Sequence, residues 1–119
     1  MTLPRSDPPL PATAPARRAP EGACDTHVHM LGAPSDARLW DGRVEDPAEG
    51  WNFRDYIAAY RAQMTTLGTT HTVIVQSILY GTDNGLAART IDTLGRETTR
   101  GIGLVTDTAT EDQLDDLQS

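Results

Sequence analysis

Hydrophobic and polar positions change period along this chain, and each change marks an element. Phe53, Ile57, Tyr60, Met64 and Leu67 recur at spacings of three and four, which predicts a helix over 52–67 with one apolar face. Asn52 supplies a cap, Asp55 puts a negative charge in the first turn, and Gly68 supplies a stop. Val73-Ile74-Val75 is a continuous β-branched run. It predicts a strand over 71–78, covered on both faces as in a parallel sheet. Residues 23–29 read as an earlier strand. Residues 83–94 read as a second helix, capped by Thr82 or Asp83 and stopped by Gly95. Residues 101–106 read as a short third strand. Thr110 and Gln113 stand at capping-box spacing and open a third helix over 110–117. Between the first strand and first helix, residues 30–51 carry Pro34, Gly42, Pro47, Gly50 and many charges. That is a long loop, and long ordered loops are often binding loops or lids.

The order is β-loop-α-β-α-β-α. Strands alternating with helices imply a parallel sheet with right-handed crossovers. Two architectures fit: a small open α/β sheet, or the first three units of a (β/α)8 barrel. A full barrel takes about 250 residues, and this chain has 119.

Composition narrows the function. Net charge is −7, from 17 acidic and 10 basic residues, which argues against a nucleic-acid partner. All the basic residues are arginine. No apolar run approaches the ~20 residues of a membrane span. Cys24 has no second cysteine to pair with, so a reducing, cytoplasmic setting is expected. Residues 1–20 are rich in Pro, Ala and Arg and read as a flexible, polyproline-like arm preceding a domain over 21–119. Arg17-Arg18 has the dipeptide of a twin-arginine leader, but Ala19-Pro20-Glu21-Gly22 follows where an apolar segment belongs.

The candidate chemistry lies in Asp25-Thr26-His27-Val28-His29. A regular strand alternates faces, so Asp25, His27 and His29 are expected on one side, with Cys24, Thr26 and Val28 packing on the other. Two imidazoles on one face can converge on one cation or one anionic or carbonyl group. A bare His-x-His pair also arises by chance in chains with no such use. His71 opens the second strand, at the opposite end of the sheet from the first strand's end, and is expected to be structural. Ser77, Tyr80, Thr82 and Asn84 follow the second strand. They offer a hydroxyl, a phenol and an amide to a substrate carboxylate near a helix N-terminus, or serve as turn and cap residues around Gly81. Trp40 and Trp51 are candidates to wall a pocket.

Asp25-Thr26-His27-Val28-His29 resembles the opening of the amidohydrolase superfamily, which begins with Asp-x-His-x-His at the end of its first barrel strand. Val75-Gln76, followed by Tyr80-Gly81-Thr82-Asp83-Asn84, is similar to the amidohydrolase-related subgroup that includes 2-pyrone-4,6-dicarboxylate lactonases. The resemblance runs from about Gly22 to the end and implies the N-terminal portion of a TIM barrel, about three β/α units. It implies a hydrolase in which water attacks a cyclic ester or amide carbonyl polarised by His27 and His29. It implies either a divalent metal, zinc for example, on those histidines, or a metal-free mechanism in which they bind the carbonyl. Asp25 would then orient an imidazole from behind. The family's other ligands and its catalytic Asp come from later strands and have no counterpart in these residues. The expected substrate is a small carboxylated lactone or similar anion. A zinc-dependent decarboxylase of the same branch, and a non-catalytic remnant or split subunit that self-associates through open barrel edges, are the alternatives. A flavodoxin-like binding domain is a further one, but no Gly-rich phosphate loop follows the first strand.

Overall fold

The computed structural model describes residues 2–119. Its elements are β1 (Cys24–Val28), α1 (Phe53–Leu67), β2 (His71–Val75), a 3-10 turn (Ile78–Tyr80), α2 (Gly85–Leu94), β3 (Thr99–Ile102) and α3 (Glu111–Gln118). The strands form one parallel sheet in the order β1-β2-β3. This mixed α/β arrangement is the one expected from the alternation of periods.

Local chemistry sets α1. The Asn52 side chain accepts from Asp55 N, and the Asp55 carboxylate accepts from Asn52 N, a reciprocal capping box. At the other end Gly68 takes φ 84°, a left-handed cap that side chains disfavour. The apolar stripe faces inward: Phe53, Ile57 and Tyr60 are buried, joined by Tyr56. The Thr110–Gln113 capping box of α3 also forms.

Three boundaries move from the expected ones. β2 stops at Val75 because Ser77 caps a 3-10 turn, its hydroxyl accepting from Leu79 N at 3.3 Å. α2 begins at Gly85 with Asn84 in the cap position; Asn84 makes no side-chain cap bond, and Asp83 instead accepts from Gly85 N. β3 covers Thr99–Ile102 and not 101–106. Its ladder runs from Thr72↔Thr99 to Val75↔Ile102, so β3 ends level with the last residue of β2.

The helices cover one face of the sheet. Thr72 and Ile74 of β2 are buried against them, with Tyr60 Oη bonded to Thr72 Oγ1 at 2.9 Å. Gly101 of β3 sits where a Cβ would lie 2.7 Å from Ile91 Cδ1, so the absent side chain lets α2 approach. The opposite face carries His71, Val73 and Val75, which are only half-buried. The expectation that β2 would be covered on both faces is therefore corrected. Packing on Cys24 and Thr26 is corrected as well: both are exposed, Cys24 on the uncovered face beside its ladder partner His71.

The core gathers α1, Leu79 and Tyr80 of the 3-10 turn, Leu86, and Met30 and Ala48 from the long loop. Asp36 ties that loop down. Its carboxylate accepts from Ala33 N at 2.9 Å and Phe53 N at 2.8 Å, and pairs with Arg89 at 3.3 Å. Arg89 in turn lies 4.0 Å over the Phe53 ring. The arm is pinned at two places. Near its start, Ser6 N donates to Asp46 O, Asp46 N to Pro4 O, and Arg5 to Pro47 O. At its end, Ala19 N donates to Leu67 O and Arg18 to Thr65 O.

Candidate functional site

The C-terminal end of β1 is irregular, and that irregularity builds the site. Asp25 pairs with Thr72 while Val28 pairs with Ile74. Three residues on β1 thus match two on β2, a bulge with one extra residue. Paired residues in a ladder share a face, so Asp25 and Val28 both turn toward α1. The expected common face of Asp25 with His27 and His29 is lost for this reason. Asp25 Oδ1 accepts from His27 N at 3.3 Å, so the carboxylate holds the bulged backbone and touches neither imidazole of the pair.

His27 and His29 do converge. Their Nε2 atoms lie 3.4 Å apart, with ring centroids at 4.9 Å and planes at 90°. Both side chains are exposed. His29 Nδ1 lies 2.9 Å from Val75 O, the last residue of β2. A carbonyl only accepts, so Nδ1 carries the proton, and a neutral His29 presents a lone pair at Nε2. A backbone carbonyl therefore takes the orienting role assigned to Asp25. The chain beyond His29 is fixed too. Met30 is buried, and Gly32 N donates to Tyr80 Oη at 2.9 Å.

Of the other candidates, Ser77, Tyr80 and Asn84 are engaged in scaffolding. Ser77 and Tyr80 are 8% and 3% exposed, and their hydroxyls serve Leu79 N and Gly32. Asn84 brackets Leu104, its Nδ2 donating to Leu104 O at 2.9 Å and its Oδ1 accepting from Leu104 N at 2.8 Å. Thr82 is exposed and lines, with Asn84, a separate polar cleft of about 300 Å³ against the Leu104–Thr106 segment. Gln76 is buried and donates to both Gly81 O and Asp83 O, so it sets the loop carrying these residues. In the sequence Gln76 stands only as part of the Val75-Gln76 motif, and its position just past a strand is the one signal of this role. His71 lies at the start of β2, bonded to Thr70 Oγ1, far along the strand from the pair.

Beside the pair lies a cavity of about 480 Å³. Its floor is β1, its wall is Trp51, Tyr56 and Tyr60, and its roof is Pro9–Ala12 of the arm. Burial pushes the Tyr60 phenol up to about 12, with its Thr72 bond pulling the other way and nearby Asp25 adding to the rise. Burial likewise raises Tyr56 and Tyr80. The tyrosine wall therefore stays uncharged at ordinary pH, and the polar groups beside it are Asp25, His27 and His29. Trp40 lies elsewhere, 45% exposed and stacked over Gly42 and Gly81.

The residues meet a divalent metal only in part. A tetrahedral zinc with ~2.0–2.1 Å Zn–N bonds sets its nitrogens ~3.3 Å apart, close to the 3.4 Å seen between the two Nε2 atoms. Yet no group of three His, Cys, Asp or Glu gathers anywhere among the described residues. A catalytic zinc takes about three protein ligands, so the pair alone does not complete that site. No helix among the described residues is long and apolar enough to cross a membrane.

No known family model matches the chain, and no curated protein does. Solved structures do resemble it. An Agrobacterium tumefaciens protein solved in its apo form matches with TM-score 0.63 and 25% identity, over 93% of this chain and 37% of its own. A probable 2-pyrone-4,6-dicarboxylic acid hydrolase of Acinetobacter baumannii, with citric acid bound, matches with TM-score 0.69 and 22% identity, over 82% of this chain and 34% of its own. This chain thus spans little more than a third of the length of either, and what it shares with them is the fold: parallel α/β units that form part of larger chains.

Proposed function

We propose that this chain carries the first-strand part of a hydrolytic site for a small carboxylated cyclic ester or amide, within a partial (β/α)8 barrel. The observation that carries the reading is the convergence of His27 and His29 Nε2 at 3.4 Å, beside a cavity large enough for one small ring compound. The structural likeness to a probable 2-pyrone-4,6-dicarboxylic acid hydrolase that holds a tricarboxylate supports the same substrate class. The chemistry follows from the tautomers. His29 donates from Nδ1 to Val75 O, so its neutral Nε2 accepts a proton. His27, in its Nε2–H form, donates to a carbonyl oxygen placed between the rings, stabilising the negative charge that develops as water attacks. The proton released by the attacking water passes to His29 Nε2, and collapse of the tetrahedral intermediate breaks the ring C–O or C–N bond, whose leaving atom takes that proton. Asp25 lines the same cavity but is tied to His27 N and bonds to neither ring, so turnover by this chain alone is expected to be slow.

The test is hydrolysis of 2-pyrone-4,6-dicarboxylate by the purified chain, followed by loss of pyrone absorbance. His27→Ala is expected to lower the rate by about 100-fold, the usual effect of deleting one oxyanion donor. A rate equal in the two proteins, or no rate above buffer in either, would sink the reading.

A second reading, a zinc-dependent decarboxylase, draws on the same 3.4 Å spacing, which suits one edge of a zinc tetrahedron. Zinc titration by calorimetry separates the two. Tight binding lost in His29→Ala favours the decarboxylase, and its absence favours carbonyl binding by the bare pair.

A further inference from the structure

The arm crosses the mouth of the cavity in a way that no part of the hydrolytic reading requires. Its two ends are fixed. Pro4–Ser6 bonds to Asp46 and Pro47, and Arg18–Ala19 bonds to the last turn of α1. Between them, residues 7–17 make no hydrogen bond to the rest of the protein among the described residues. The sequence explains why: Pro8, Pro9, Pro11 and Pro15 have no N–H to donate. A polyproline-like stretch keeps its backbone solvated and extended without a partner. Yet Pro9–Ala12 lines the same cavity as the His27–His29 pair. Leu10, at the centre of the roof, is 88% exposed and so contributes little grip.

We propose that Pro4–Ala19 is a hinged strap that gates the His27–His29 cavity to a planar, carboxylated ring. The proposal rests on the substrate class assigned above to that cavity. Lifting the centre breaks no hydrogen bond, while the pinned ends keep the strap in register to close again. Stiff proline units move as a span and not as a disordered tail. Ligand entry is then limited by opening of the strap, and the ease of opening is set by its anchors. Arg5, which donates to Pro47 O at 3.2 Å, is the anchor side chain at the start of the strap, and Arg18, which donates to Thr65 O at 3.0 Å, is the one at its end.

The experiment uses isophthalate, a planar ring with two carboxylates and no bond to hydrolyse. Binding to the full chain is followed by stopped-flow fluorescence of Trp51 in the cavity wall, with calorimetry for affinity. The observed rate in the unmodified protein is expected to level off as isophthalate rises, at the rate of strap opening. Arg5→Ala, and separately Arg18→Ala, are expected to raise that plateau roughly 3- to 10-fold, as loss of one modest hydrogen bond allows. Trypsin is expected to cut after Arg17 or Arg18 more slowly when isophthalate is bound. Rates that rise linearly without a plateau and are unchanged in both variants overturn the strap, and so does absence of binding by either method. Because isophthalate cannot be hydrolysed, gated binding without pyrone turnover removes only the hydrolase reading.

Discussion

The end of β1 and the loop after β2 lie side by side and treat their polar side chains in opposite ways. After β2, the side chains of Gln76, Ser77, Tyr80 and Asn84 all bond to backbone. At the end of β1, His29 Nδ1 bonds to Val75 O, and the Nε2 atoms of His27 and His29 meet only each other, on side chains that are exposed. Buried polar groups must be paired, and Gln76, Ser77 and Tyr80 are buried. The histidines are exposed, so a ligand can reach them and replace the contact they make with each other. Chemistry-bearing residue types mark a site only where the fold leaves their valences unspent.

The sharpest way to break this contrast is to remove one group from each side. His27→Ala should cost about 100-fold in pyrone hydrolysis while changing unfolding free energy by less than ~0.5 kcal/mol, as an exposed substitution does. Chemical denaturation beside the rate assay checks both. A large stability loss would mean that the pair is structural.

Gln76→Ala should show the reverse pattern. It strips a buried donor from Gly81 O and Asp83 O, and leaving two carbonyls unpaired should destabilise the fold by about 3 kcal/mol. A denaturation midpoint that barely moves would show water replacing the amide.

Tyr80→Phe is the intermediate case. It leaves Gly32 N without its partner, for a loss of about 1–1.5 kcal/mol. Because Gly32 follows His29 by three residues, the variant should also weaken isophthalate binding, which a purely distant scaffold change would not do.

The smallest effect is expected from acid. Desolvation raises Asp36, but its bonds from Phe53 N and Ala33 N and its pairing with Arg89 outweigh that and hold it below the usual carboxylate range. A carboxyl depressed in the folded state adds stability above its unfolded pKa and loses it as pH falls through the folded one. Thermal melts from pH 5 downward should therefore fall, and Asp36→Asn should flatten part of that slope. An unchanged slope would show that other groups govern acid unfolding.

Much of this was legible in residue patterns. The helix over Phe53–Leu67 came from a three-and-four stripe with a cap at Asn52 and a stop at Gly68, all local signals. The parallel order came from alternation of periods. What misled was the assumption of regularity. Strict alternation put Asp25 beside the histidines, and the β1 bulge removed it. The β-branched run of β2 suggested two covered faces, and the helices cover one. The Val75 carbonyl that fixes the His29 tautomer carries no sequence signal at all, since every residue has a carbonyl.

The sequence by itself determined the periods, the caps, the strand–helix order and the presence of two histidines one residue apart, because these depend on near neighbours along the chain. Tertiary structure alone decided which polar groups are consumed and which stay open. It set the 3.4 Å approach of the two Nε2 atoms and laid the arm over the cavity. Those outcomes depend on contacts between residues distant in the chain, such as His29 with Val75 and Gly32 with Tyr80, and on which face of a bulged edge strand each side chain is forced to take.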